Sequence, residues 1–146
     1  PPSGLPEGSS DARSTSLAAP HAARVLVVED NENNVVLLSD FLTSEGYEVV
    51  VARTGTEGVA RAESAEFDVI LMDVQMPEMD GFEATRRIRR LPKHHRTAII
   101  ALTSFAMPGD RDKCLAAGMT DYMAKPISLR ALAQLIKSNV RTTERD

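Results

Sequence analysis

The chain is poor in cysteine: Cys114 is the only one among 146 residues. That excludes an internal disulfide framework and any zinc site built from cysteines, and it suits a reducing compartment. Long apolar runs are absent too. No stretch approaches the roughly 18 residues a membrane-spanning helix needs, and the amino-terminal end lacks the basic and apolar regions of a signal peptide. A soluble, cytoplasmic domain that itself makes no membrane contact is therefore expected, with the cytosolic part of a membrane-anchored protein as the alternative. Nor is there an excess of positive charge: 17 Lys and Arg face 21 Asp and Glu for a net charge of -4, so the basic footprint of a nucleic-acid binder is missing. Neither a Walker phosphate loop nor a dinucleotide glycine fingerprint occurs.

What is present is a core of workable size. Hydrophobic residues make up 42% of the chain, enough for one domain. Residues 1–23, rich in Pro, Ser, Gly and Ala without apolar period, read as a flexible linker or residual lead-in. Beyond them, short β-rich runs at Val25–Val28, Tyr47–Ala52, Asp68–Met72, Ala98–Leu102 and Asp121–Ala124 alternate with helical patterns. The first helix is capped by Asn31 or Asn33, shows a Val35, Leu38, Leu42 stripe and ends at Gly46. The second covers Thr54–Ser64. A third, Phe82–Leu91, stops before Pro92, whose ring pushes the preceding residue out of the α region. Pro108 is placed at the first position of a fourth helix that ends at Gly118. Ser128 caps the last, with Leu129, Leu132, Ile136 and Val140 on one face. The domain is expected over residues 24–140, with a tail at 141–146.

Five strands alternating with five helices argue for an α/β fold: an open, doubly wound parallel sheet with right-handed crossovers. All strand carboxyl ends then lie at one edge, where ligands bind. Glu29 and Asp30 follow the first strand, Asp73 the third, Thr103 the fourth and Lys125 the fifth. Three carboxylates in one crevice repel one another unless a cation offsets them. Mg²⁺, which pairs one or two carboxylates with waters and phosphate oxygens, fits that need. Lys125 and Thr103 then serve as phosphate handlers, and Asp73, already ionised, as a nucleophile that forms an aspartyl-phosphate. Singly, each residue has a plainer reading: Glu29 and Asp30 as helix amino-terminal acids, Thr103 as a cap, Lys125 as a solvated cation. Their coincidence at successive strand ends favours the joint one.

Four segments carry a family resemblance: Val27-Val28-Glu29-Asp30-Asn31, Leu71 to Gly81 with Asp73 and Met76-Pro77, Ala101-Leu102-Thr103-Ser104, and Tyr122-Met123-Ala124-Lys125-Pro126. In these the chain resembles the receiver domains of response regulators in two-component and phosphorelay signalling. The Glu-Asp-Asn opening followed by Asn34 is most similar to receivers of hybrid histidine kinases. The resemblance implies a flavodoxin-like (βα)5 sheet of order 2-1-3-4-5 and a cis peptide between Lys125 and Pro126. It implies Asp73 as phosphoacceptor, with Asp30, Asp73, a water-mediated Glu29 and the Gln75 backbone carbonyl around Mg²⁺. Lys125 would hold the phosphate, and Thr103 with Tyr122 would form a switch pair. Implied partners are a histidine kinase domain as phosphodonor and a histidine phosphotransfer domain, with dimerisation on phosphorylation as an option. The chain departs from the commonest pattern at Ser104 and Phe105; Phe105, with Gln75, is expected to hinder water and slow phosphate loss.

Two rivals are weighed. A Mg-dependent phosphatase or dehalogenase with an Asp nucleophile would carry a second Asp two residues on, where this chain has Gln75. A receiver-like module that acts only by binding usually has a damaged pocket, and this one is complete. The basic run Arg86, Arg87, Arg89, Arg90, Lys93 and Arg96 reads as a solvated helix face and loop rather than as a docking or nucleic-acid patch. His94 and His95 show neither metal-ligand spacing nor a partner, and Met72, Met76, Met79 and Met123 read as packing residues.

Overall fold

The computed structural model describes residues 23–104 and 107–145, with side chains as far as Val140. The lead-in through residue 22 and Phe105 lie outside the described residues. Five strands, β1 (Arg24–Val28), β2 (Glu48–Ala52), β3 (Val69–Asp73), β4 (Ala98–Thr103) and β5 (Asp121–Ala124), alternate with α1 (Glu32–Ser44), α2 (Gly55–Ser64), α3 (Gly81–Arg89), α4 (Asp110–Ala117) and α5 (Leu129–Arg145). All pairings are parallel, in the order β2-β1-β3-β4-β5. This is the doubly wound 2-1-3-4-5 arrangement. Among the described residues no helix is long and apolar enough to cross a membrane.

Alternation along the strands splits the core into two layers. Val25, Val27, Val69, Leu71, Ile100 and Leu102 pack against Leu38 and Leu42 of α1 and Leu132 and Ile136 of α5. On the opposite face Leu26, Val28, Ile70, Met72, Ile99 and Ala101 meet Ala62, Ala84, Ile88 and Cys114 of α2, α3 and α4. Every residue of β3 is buried, because helices cover both faces of a parallel sheet. At roughly 1.5–3 kcal/mol for each large apolar side chain buried, this central strand is held where it is regardless of what its last residue costs.

Helix ends follow local chemistry. Asn31 caps α1, its Oδ1 accepting from Asn34 N–H at 3.1 Å, and Thr54 caps α2. Leu91, ahead of Pro92, is extended as expected. Pro108, in contrast, is not the first residue of α4. Gly109 adopts φ +95° and α4 starts only at Asp110, since a left-handed residue cannot belong to a right-handed helix; Pro108 sits in the turn closed by Asp110 N–H to Met107 O. At the other end α5 remains helical through residues 141–145, which the sequence assigned to a tail.

His94 corrects a second expectation. It is fully buried, with Nε2 2.9 Å from Ala65 O and Nδ1 2.9 Å from Thr97 Oγ1. A carbonyl only accepts, so Nε2–H donates to Ala65 O, while Nδ1 is hydrogen-bonded to the Thr97 hydroxyl. The ring stacks on Phe67, whose face Arg24 covers. Arg89 is likewise not a solvated cation: it donates to Gly118 O and His94 O. Arg86 and Arg87 do lie on an exposed face, paired with Glu83.

The β3–α3 connection contains the one described non-glycine residue in the left-handed region, Glu78 at φ 70°, inside a tight turn closed by Met79 N–H to Pro77 O at 2.8 Å. Such a γ-turn is strained for a residue with a Cβ. Glu78→Gly removes the strain but loosens the unfolded chain, leaving a net gain of about 0.5 kcal/mol. A raised urea midpoint in metal-free buffer is the expected result; an unchanged or lowered one would show that the turn is relaxed.

Candidate functional site

The parallel register delivers the chemistry-bearing residues to one edge. Asp73 closes β3 beside Leu102, and Thr103 closes β4 beside Ala124. Lys125, next after β5, donates its backbone N–H to Thr103 O at 2.7 Å, while Glu29, next after β1, donates to Ala52 O at 3.0 Å. Each strand is thus extended by one rung beyond its apolar run, and that rung places the polar side chain over the crevice. The Lys125–Pro126 peptide is cis.

Glu29 and Asp73 are buried and Asp30 is exposed. Oxygens of the three carboxylates lie within 4.8 Å of one another. Lys125 Nζ sits 3.2 Å from Glu29 Oε1 and 3.3 Å from Asp73 Oδ1. One ammonium therefore serves two buried carboxylates. Burial, then the hydrogen bond and charge of Glu29, push the Asp73 carboxyl up to about 7, with Lys125 and the Gln75 N–H pulling the other way. Glu29 thus acts on Asp73 in the direction expected from the sequence, but burial is the larger cause, and the lysine only partly offsets the two.

Backbone groups hold the acids in place. Gln75 N–H donates to Asp73 Oδ1 at 3.1 Å and Asn31 N–H to Glu29 Oε2 at 3.1 Å. Among the described residues Glu29 Oε1, though close to Lys125 Nζ, is buried without a hydrogen bond. A lone pair left over in a buried carboxylate, beside two further carboxylates, is a donor set suited to a hard dication and its waters. On these observations the residues fit a magnesium site.

Thr103 is buried at the end of β4, and Tyr122 is half-buried on β5, packed against the α2–α4 layer. Glu29, Asp30, Asp73, Thr103 and Lys125 are thus brought to a single edge, with Tyr122 further back on β5, beside Ala101 of β4. Sequence reasoning missed the pinning role of Asn31 N–H and Gln75 N–H, because a backbone N–H has no residue signature. It also missed Arg53, just past β2: its guanidinium pairs with Glu32 of α1, and its N–H donates to Glu57 Oε1 at 2.9 Å.

Comparison with known proteins agrees with this geometry. The family described as response regulator receiver domain matches residues 25–137. The signal transduction histidine-protein kinase BarA of Escherichia coli K12 is 43% identical over 115 residues, which cover 79% of this chain and 12% of that protein. The chain therefore spans only a small part of that relative's length. The polar-differentiation response regulator DivK of Brucella ovis is 39% identical over 114 residues, 78% of this chain and 93% of DivK. Among solved structures, the receiver domain of sensor histidine kinase PA1611 from Pseudomonas aeruginosa PAO1 superposes with a TM-score of 0.77 at 41% identity, covering 82% of this chain and 98% of that one; it has a magnesium ion coordinated in its active site cleft.

Proposed function

Given that the chain belongs to the response regulator receiver domain family of two-component signalling, we propose that Asp73 accepts a phosphoryl group from a phosphohistidine in a Mg²⁺-dependent reaction. The carrying observation is the buried Asp73–Glu29–Lys125 cluster beside exposed Asp30. A carboxylate oxygen of Asp73 attacks phosphorus, the phosphorus–nitrogen bond to the donor imidazole breaks, and the bond pair stays on the ring nitrogen. When bound, the metal ion supplies charge neutralisation between the acids and the incoming phosphoryl oxygens.

Asp30 and Asp73 would hold the ion directly, Glu29 through water, and the Gln75 carbonyl as a further ligand. Lys125, already 3.3 Å from Asp73 Oδ1, is placed to follow the phosphoryl oxygens once they arrive. The Thr103 hydroxyl would bond another of these oxygens, and Tyr122 would turn inward behind it. That step makes one local charge change into an altered partner surface. Exposed Val36 and Leu37, with Phe41 and Leu129, line a groove of about 600 Å³ on the flank formed by α1 and the start of α5. It suits a macromolecular donor, such as the histidine-bearing domain of a kinase or a histidine phosphotransfer domain. A module that only binds partners would have no use for a buried Asp73 carboxyl pushed this far from its ordinary ionisation.

The test is intact-mass measurement after incubation with a small acyl-phosphate donor and Mg²⁺. One phosphoryl adduct is expected on the native chain, and none with chelator or in Asp73→Asn. An adduct that survives Asp73→Asn would reassign the acceptor; no adduct on the native chain would remove the phosphoacceptor reading.

A further inference from the structure

Resting on the magnesium reading above, we infer that Arg53 is a positioning residue for the metal site, acting through its ion pair with Glu32, the first residue of α1, directly after the loop that carries Asp30. Asp30 is the exposed member of the acidic triad, and among the described residues its carboxylate takes no hydrogen bond or ion pair. Glu29 is fixed by Asn31 N–H, and Asp73 by Gln75 N–H and Lys125. Nothing comparable grips the Asp30 side chain, so its place depends on its backbone.

That backbone is tied to the β2–α2 connection on both sides. Before Asp30, Glu29 N–H donates to Ala52 O at 3.0 Å. After it, the Glu32 carboxylate pairs with the Arg53 guanidinium. Arg53 is itself anchored, since its N–H donates to Glu57 Oε1, and Glu57 N–H donates to the capping Thr54 Oγ1. The two ties run from adjacent residues, Ala52 and Arg53, to residues flanking Asp30 and Asn31. One side-chain bridge thus completes a bracket around the member of the acidic triad whose side chain, among the described residues, lacks a brace.

The sign of the effect separates this role from plain electrostatics. An arginine near a dication site repels the ion, so if its charge were all that mattered, removing it would tighten Mg²⁺ binding, and Glu32→Gln would weaken it. A brace predicts weakening by either change, and little further loss when both are made. The size is bounded by the exposure of the pair, at 52% and 61% of the two side chains. Exposed pairs contribute up to about 1 kcal/mol, roughly fivefold in an equilibrium constant.

Isothermal titration of the native chain and of Arg53→Gln, Arg53→Lys, Glu32→Gln and the double variant with MgCl2 decides it, together with metal-free thermal unfolding of each. We expect Kd to rise about threefold to fivefold in Arg53→Gln, in Glu32→Gln and in the double variant alike. Arg53→Lys should stay within about twofold of native, and metal-free Tm should hold within about 3 °C throughout. Tighter binding by Arg53→Gln, additive losses, or unchanged Kd in both single variants would each overturn the inference. A native chain that binds no Mg²⁺ would instead overturn the magnesium reading beneath it.

Discussion

Asp73→Asn will stabilise the metal-free domain at pH 8, by about 2 kcal/mol, and the gain will shrink as the pH falls toward 4. The carboxyl has an ordinary value of 3.8 in the unfolded chain and is pushed up to about 7 in the fold, by burial and by Glu29. Between those values the folded state keeps a proton that the unfolded state has lost. Stability of the native chain therefore falls as pH rises from about 4 to about 7 and levels off above. A shift of about three units at roughly 1.4 kcal/mol each would give about 4 kcal/mol. Water reaching the crevice beside exposed Asp30 screens the charge, which brings the expectation for Asp73 to about half. Asparagine keeps the shape and drops the charge, so it has no such penalty. Urea unfolding in chelator at pH 5 and pH 8 measures the difference. Equal stability of the two proteins at pH 8 would mean that the buried acids are already balanced. Saturating Mg²⁺ should narrow the gap by stabilising the native chain through the same carboxylates.

Gly81→Ala should destabilise the domain by about 3 kcal/mol, although helix propensity alone argues for a gain of up to about 1 kcal/mol at that position. A Cβ on Gly81 would lie 2.4 Å from Asp73 O, 2.9 Å from Val74 Cα and 3.0 Å from Asp73 C. These are backbone atoms of the central strand and its continuation, held by Val74 N–H to Leu102 O and Gly81 N–H to Val74 O, each at 3.0 Å. A flexible side chain could swing aside; a paired backbone cannot. Relief must come from moving the start of α3 or the end of β3, the latter carrying Asp73 with it. Overpacking of this kind costs about 1–3 kcal/mol and more where nothing can relax. Mg²⁺ affinity should fall about tenfold as well. A urea midpoint at or above that of the native chain would show that the close approach is soft.

Much of this site could be read before any coordinates, because its parts are punctuated. Each apolar run ends in a polar residue, and in a parallel sheet the ends of runs meet. Asp73 after Val69 to Met72, and Lys125 after Asp121 to Ala124, needed only that rule. The strand order came from resemblance, since periodicity identifies strands but not their neighbours. Other features left no trace in residue type. The grip of Gln75 and Asn31 is exerted by backbone N–H groups. His94 looked idle because Ala65 and Thr97, its partners, carry no mark of pairing with an imidazole. Pro108 misled by its own preference: the left-handed Gly109 after it, whose role depends on how the chain turns, moved the helix start. Arg53 and Glu32 are 21 positions apart and only the β1–β2 pairing makes them neighbours.

The rim opposite Asp73 is sewn together by side chains. His94 links Ala65 to Thr97, Arg89 reaches Gly118 O and the backbone of His94, and Arg24 joins Asp68, Glu48 and Glu66 O. With that seam closed and β3 buried between two packed layers, the lower rim is the more heavily tied of the two, and a charge change at Asp73 is expected to be felt first in the loops around the mouth of the crevice.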